Sequence, residues 1–234
     1  MKFTSTVTVT TDGHAVTVER LEGNADLRAH TGEFTVTSPV VPSLMGTIRY
    51  LVGVAYFRYE SLPLVAGKQW VGVTQSDVVD APEVGRVVGG GDPTYGLEIL
   101  AGTVGQPKRV AHEKLDGVDV THYGLQLDLT GLFGKVGAAI SQVSPALASS
   151  FAVAGRNVDL GHATGAVWLD AQGRVRRLDY TIDTTVSGKV TQTTTSWQLS
   201  SFGETFSAAA PPADQVVPLA DVRLRLDRLL GVGS

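Results

Sequence analysis

The 234-residue chain contains no cysteine, few aromatic residues, no basic run and no long apolar run. The absence of cysteine excludes disulfides, thiolate metal sites and cysteine nucleophiles. No apolar run reaches the 18 residues that indicate a membrane-spanning helix. The net charge of −4 gives no reason to expect nucleic acid as a partner. Valine and threonine are abundant, which favours β-strands.

The most informative segment runs from Gly165 to Asp183. Trp168 and Leu169 lead into an Asp-Ala-Gln-Gly turn at 170–173, and a second alternating segment leads out. Because glycine tolerates the positive φ that such a turn needs, this pattern predicts a β-hairpin. One face of the strand that follows the turn is predicted to be buried and the other to be exposed to solvent. The buried face carries Arg176, Leu178, Tyr180 and Ile182.

Alternating apolar and polar residues predict strands along most of the chain. Residues 3–21 are interpreted as a hairpin around Asp12-Gly13, and Ile48 to Tyr59 as one long strand. The remaining predicted strands are 24–30, 33–38, 69–74, 118–129 and 190–199.

Three segments have helical spacing. They are Asp92 to Ala101, residues 132–151, and the tail from Leu219 to Leu230. Strand blocks with helices between them predict an α+β fold. We expect one domain over residues 1–234, with a single curved antiparallel sheet and two or three helices on its concave face.

Candidates for catalysis are weak. His112 and His122 flank an Asp116-Gly117 turn and could meet across a hairpin, but a metal would need a third ligand, and Glu113 or Asp119 could serve only by coincidence. Exposed or hydrogen-bonded strand histidines are the better interpretation. The chain has no Gly-x-Ser-x-Gly elbow and no P-loop lysine. We therefore expect no catalytic residue, no metal, no cofactor and no enzymatic activity, and a hydrolase ranks last among the alternatives.

Several motifs, in this order, resemble the actinobacterial LppX/LprA/LprF/LprG lipoprotein family. They are VAYFRYE with GKQWVGV (54–60, 67–73), DGVDVTHYGLQLDL (116–129), VWLDAQGRVRRLDYTI (167–182) and SFGETFSAAAPPADQVV (201–217). The resemblance covers roughly residues 3–218, so the last helix lies outside it. It implies a half-barrel sheet with helices on its concave side and a cavity that holds the acyl chains of a lipid or glycolipid.

The same resemblance implies a secreted, lipid-anchored protein on the outer face of the plasma membrane. The chain has neither the signal peptide nor the lipobox cysteine of that family. We therefore expect it to be part of a longer exported protein, whose anchor is implied by the resemblance alone. The implied partners are an acylated lipid or glycolipid and, through the anchor, a membrane surface; a monomer is expected and nucleic acid is not.

The residues alone leave open whether the space between helices and sheet is filled. Small residues in 132–151 either allow close packing, which is the default in protein interiors, or leave room for a ligand. With the resemblance, we predict a lipid carrier that takes part in lipid transport; the alternative is an envelope interaction domain with a filled core and no ligand. The predicted lining consists of Leu97, Leu100, Leu132, Val136, Ile140, Val143 and Leu147 from helices, and of Val54, Tyr56, Trp70, Leu125, Leu127, Trp168 and Leu178 from the sheet.

Overall fold

The computed structural model describes residues 1–65, 67–74, 76–77, 97, 99–128, 160–186 and 189–230. These residues form one sheet of twelve strands. The strands are β1 (Lys2–Thr11), β2 (His14–Asp26), β3 (Thr31–Thr37), β4 (Gly46–Leu51), β5 (Val54–Tyr59), β6 (Trp70–Thr74), β7 (Thr103–Leu115), β8 (Val118–Leu127), β9 (Leu160–Asp170), β10 (Val175–Val186), β11 (Lys189–Ser200) and β12 (Val216–Pro218).

The strand order is β12-β6-β5-β4-β3-β2-β1-β11-β10-β9-β8-β7. Neighbouring strands are antiparallel except for β12, which is parallel to β6. Two meanders, β1 to β6 and β7 to β11, are joined side by side by the pairing of β1 with β11. This pairing runs from Lys2 opposite Ser200 to Thr11 opposite Thr191. The predicted antiparallel sheet is thus confirmed for all strands but β12.

Tight turns explain why consecutive strands become neighbours. Asp12 and Gly13 have φ values of 51° and 79°, and Asp116 and Gly117 have 49° and 79°. Positive φ at both central residues gives the two-residue turn whose twist matches that of the flanking strands. The predicted hairpin around Asp12-Gly13 is therefore confirmed, although β2 extends past residue 21.

The predicted hairpin between 165 and 183 is confirmed as β9 and β10. The Asp170 carboxylate accepts hydrogen bonds from the backbone N–H groups of Gln172 and Arg174, both at 3.0 Å, and from Arg174 Nε at 2.8 Å. Burial acts to raise the pKa of Asp170, but the hydrogen bonds and charge of Arg174 outweigh it and hold the pKa below its usual value. Asp170 thus fixes the turn.

The prediction of an α+β fold with two or three helices is wrong. Across the described residues the structure is a single sheet with one α-helix, α1 (Arg223–Leu230), and four 3₁₀ turns. The sheet is also larger than predicted, because the strand Thr103–Leu115 was missed: Gly105 and Pro107 interrupt its alternation. No helix in the described part of the chain is long and apolar enough to span a membrane.

The three predicted helices have different outcomes. The segment 132–151 lies outside the described residues, and so does most of 92–101, whose described end forms a 3₁₀ turn at Ile99–Gly102. The tail helix is confirmed as α1, preceded by a 3₁₀ turn at Leu219–Asp221.

Two predicted strands are wrong because turns were missed. The segment from Ile48 to Tyr59 is a hairpin of β4 and β5, since Gly53 has a φ of 76° and reverses the chain. The segment 24–30 contains the end of β2 and then a turn, in which the Asp26 carboxylate accepts hydrogen bonds from the N–H groups of Arg28 (2.9 Å) and Ala29 (3.1 Å).

Candidate functional site

One face of the sheet is apolar from β6 to β8, and we call it the apolar face. The register places Leu178 between Trp197 and Val167, and Ile48 between Phe34 and Phe57. Every second residue of these strands points to this face, which is what alternating sequence produces. Its buried members include Phe3, Leu21, Phe34, Ile48, Phe57, Val71, Leu125, Leu127, Val167, Leu178, Trp197 and Leu199.

Aromatic rings pack against one another in the centre of the apolar face. The Phe3 ring lies 5.9 Å from the Phe34 ring, edge to face, and 5.9 Å from the Trp197 ring. The Phe57 and Tyr59 rings are 5.3 Å apart. Such pairs contribute about 0.5–1.5 kcal/mol each beyond the burial of their area. This part of the face is a packed core.

The C-terminal segment packs at the β6 end of this core. Val217 of β12 lies opposite Val71, and Leu219, Val222 and Leu226 belong to the same buried cluster. Arg225 Nη1 donates a hydrogen bond to the carbonyl of Pro63, at 2.9 Å. The apolar side of the tail is therefore packed against the core, which explains why so short a helix is stable.

Polar side chains interrupt the apolar face at one place, which we call the polar patch: Ser5, Thr195, Trp197 and Tyr180. Ser5 lies opposite Trp197, and Thr195 lies opposite Tyr180. The exposed fractions of Ser5 and Trp197 are only 2% and 4%. Within the described part of the chain, neither Ser5 Oγ nor Trp197 Nε1 has a hydrogen-bond partner. A buried polar group left in this way costs about 1–3 kcal/mol.

Glu19 lies beside the polar patch, opposite Val7 on the neighbouring strand. Burial raises the pKa of its carboxyl. Burial also raises the pKa values of Tyr59 and Tyr180, and the charge of Glu19 adds to both shifts. The side chains of Thr195 and Trp197 lower the pKa of Tyr180 and so offset part of this increase. The Trp197 N–H nevertheless makes no hydrogen bond of normal geometry. The charge of Glu19 thus acts on one tyrosine from each meander.

The apolar face becomes partly exposed beyond the polar patch. Val7, Val9, Ile182 and Thr193 are half-buried, and Val16, opposite Val9, is 47% exposed. We call these residues the open strip. The polar patch therefore lies at the boundary between a packed core and apolar surface that stays accessible.

The structure divides the predicted lining residues between two faces. Leu125, Leu127 and Leu178 lie on the apolar face and are buried, and Leu97 and Leu100 pack against the same core while partly exposed. Val54, Tyr56, Trp70 and Trp168 lie on the opposite face, as the pairings of β5, β6, β9 and β10 show. Leu132, Val136, Ile140, Val143 and Leu147 lie outside the described residues.

A β-bulge explains the position of Trp168. Val175 pairs with Leu169, but the next pair joins Arg177 to Trp168, so one extra residue of β10 shifts the alternation. Leu178 and Trp168 consequently point to opposite faces. The Trp168 indole N–H donates a hydrogen bond to Glu113 Oε1 at 2.6 Å.

Two further side chains hold the Trp168 ring. His122 stacks on it with ring centroids 4.2 Å apart, and the Arg177 guanidinium lies 4.9 Å from the ring centroid. His112 lies on the opposite face from His122 and the Trp168 ring. His112 pairs with Thr121 and His122 pairs with Ala111, and adjacent pairs point to alternate faces. Among the described residues, no group of His, Asp and Glu is arranged to hold a metal ion.

Trp70 is held on this second face by two arginines. The guanidinium carbons of Arg49 and Arg58 lie 4.9 Å and 5.1 Å from the ring. Arg49 also pairs with Glu33 through Nε, at 2.6 Å, and donates from Nη1 to the carbonyl of Ala209, at 2.7 Å. Trp70 is only 6% exposed. It therefore helps to fix the segment before β12 rather than offering its ring to a ligand.

An open cleft of about 280 Å³ lies at one end of the sheet. Residues of the β7–β8 turn meet residues of β1, β2 and β11 there, although β8, β9 and β10 separate β7 from β11. Strands are spaced about 4.8 Å apart, so the sheet must be strongly coiled to bring these elements together. The lining is mixed: Lys2, Phe3, Thr4, Glu22, Gly23, Asn24, Leu115, Asp116, Arg176, Gln198, Leu199 and Ser200.

The polar patch was missed in the sequence, although a signal for it exists. Ser5 occupies an apolar position in the alternation of Phe3, Ser5, Val7 and Val9. A polar residue at an apolar position marks either a satisfied buried group or a ligand contact. Thr195 and Glu19 give the same signal, but only the strand register shows that they gather in one place.

Comparisons with known proteins assign no family. No protein-family model and no curated protein matches the chain. The crystal structure of Mycobacterium tuberculosis lipoprotein LppX matches 88% of this chain and 89% of its own, with 11% identity and a TM-score of 0.46.

Two further structures, both of MucB complexes, match more weakly. A chain of the Pseudomonas aeruginosa MucA/MucB complex gives 9% identity and a TM-score of 0.30. A chain of MucB in complex with MucA(peri) gives 10% identity and a TM-score of 0.31. Each match covers 92% of this chain and 54% or 53% of the other. None of these likenesses supports a functional argument.

Proposed function

We propose that this protein is a non-enzymatic lipid carrier of the cell envelope, which binds the acyl chains of a lipid or glycolipid on the apolar face. The observation that carries the proposal is the open strip. Beyond the polar patch, Val7, Val9 and Ile182 continue the apolar face as partly accessible surface. An alkyl chain laid there would continue the core.

The energetics of this arrangement favour long chains. Burial of alkyl chain contributes about 0.8 kcal/mol per CH₂, so ten buried methylenes contribute about 8 kcal/mol before the cost of association. Selection would then depend on chain number and length more than on polar contacts. The resemblance of the motifs in 54–73, 116–129, 167–182 and 201–217 supports the same function and an envelope location.

The direct test is to purify the protein, extract it with organic solvent and analyse the extract by mass spectrometry. We expect acylated lipid in near-stoichiometric amount. Purified protein without lipid, which also takes up none from vesicles, would contradict the proposal and favour an interaction domain with a filled core.

A matched pair of variants locates the binding surface. Val9→Lys places a charge in the open strip, whereas Thr8→Lys places it on the opposite face of the same strand. We expect Val9→Lys to lower lipid uptake at least about tenfold, because a buried charge costs more than 1.4 kcal/mol. Thr8→Lys should bind like the unchanged protein. Equal lipid uptake by the two variants would exclude the apolar face as the lipid-binding site.

A further inference from the structure

We propose that the polar patch binds the ester carbonyl of a neutral acylated lipid, so that the protein recognises the linkage as well as the chains. The inference rests on the proposed function and names the class of its ligand. The patch is where a chain lying along the open strip would reach the packed core.

The first argument is the need for an acceptor. Trp197 Nε1 can only donate a hydrogen bond, and Ser5 Oγ can donate one; both are at least nine-tenths buried and unpaired among the described residues. They come from opposite positions on neighbouring strands, where Cβ atoms are about 4.5–5.5 Å apart. The register thus brings the two donor-bearing side chains together. A carbonyl oxygen between them would satisfy both donors, whereas an alkyl chain satisfies neither.

The second argument concerns charge. Glu19 lies opposite Val7, which itself lies opposite Thr195 of the patch. Burial raises the pKa of the Glu19 carboxyl, but neither of its protonation states favours an anion. The ionised form repels a phosphate or a free fatty acid, and the protonated form supplies no cation to pair with either. The patch thus favours an uncharged ester, such as an acylglycerol or an acylated sugar, over an anionic lipid.

The experiment compares dipalmitoylglycerol with its dialkyl ether analogue, which has the same chains and no carbonyl. Binding of both to the full chain is measured by depletion from vesicles. Two good hydrogen bonds, each contributing about 1 kcal/mol, give an expected preference for the ester of about tenfold or more.

Variants then assign the preference to the patch. Trp197→Phe keeps an aromatic ring but removes the N–H, and Ser5→Ala removes the hydroxyl. Each should weaken ester binding about fivefold and leave ether binding unchanged. Thr4→Ala is the control, because Thr4 neighbours Ser5 but lies exposed on the other face. Dipalmitoyl phosphatidic acid should bind less well than the ester, and Glu19→Gln should reduce that difference.

The outcomes separate the two proposals. Equal binding of ester and ether by the unchanged protein would overturn the role of the patch and leave the lipid carrier intact, with the two donors satisfied by water. A loss of ester and ether binding alike in Ser5→Ala and Trp197→Phe would also overturn it. Binding of neither lipid, nor of phosphatidic acid, would refute the lipid carrier and this inference with it.

Discussion

Leu178 offers the sharpest test of the packed core. It has no exposed surface, lies in β10 and is flanked by Trp197 and Val167 on the neighbouring strands. Leu178→Ala removes three buried carbon groups, which accounts for about 2.4 kcal/mol at 0.8 kcal/mol each. The cavity left behind adds to this, so that the free energy of unfolding should fall by about 3–4 kcal/mol.

The measurement is urea unfolding followed by circular dichroism. With a slope of roughly 2 kcal/mol per M, the midpoint should move down by about 1.5–2 M. Leu224→Ala is the matched control, since Leu224 in α1 is 72% exposed. It should change stability by less than about 0.5 kcal/mol. A Leu178 variant as stable as the Leu224 variant would refute our account of the apolar face as a packed core.

Three other predictions concern turns and the second face. Asp170→Asn should cost about 1–3 kcal/mol at pH 7. Because folding lowers the pKa of Asp170, the difference from the unchanged protein in thermal melts should shrink as the pH falls below about 3.9, the usual value for Asp, and vanish below the lowered pKa. Gly117→Ala, at a φ of 79°, should cost about 1 kcal/mol in urea unfolding. Gly124→Ala should cost little, because φ is not positive there and the added Cβ would lie 3.6 Å from Val110, an ordinary van der Waals contact. Arg49→Ala should cost about 1–2 kcal/mol in the same assay, since it removes the cation beside Trp70.

The sequence predicts what short-range chemistry determines. The turns at Asp12-Gly13 and at 170–173 were predicted because the residues that need positive φ, or that bond their own backbone, are adjacent in the chain. The turn at Val52-Gly53 was missed because valine is an unusual first turn residue and the alternation continues through it. A single strand over 48–59 would place Tyr50 and Tyr56 on one face, whereas they lie on opposite faces.

The candidate site was less predictable because the face on which a side chain lies depends on the exact number of residues before it in the strand. One extra residue in a strand moves every later side chain to the other face, and the bulge before Arg177 does this to Trp168. Half-buried aromatic residues gave no indication of which face they occupy. The polar patch depends on the pairing of β1 with β11, which no local pattern indicates.

That pairing also governs how the chain can assemble. Each meander can form from strands that follow one another, within seconds of synthesis or less. The outer edge of β1, however, has no partner until residues 189–200 arrive, because Thr11 and Thr191 are 180 positions apart. Closing so long a loop is slow, and an unpaired edge strand invites other chains. The half-formed protein thus presents β1 as an unpaired edge on which other chains can add, and a chaperone that covers these eleven residues during synthesis should reduce aggregation.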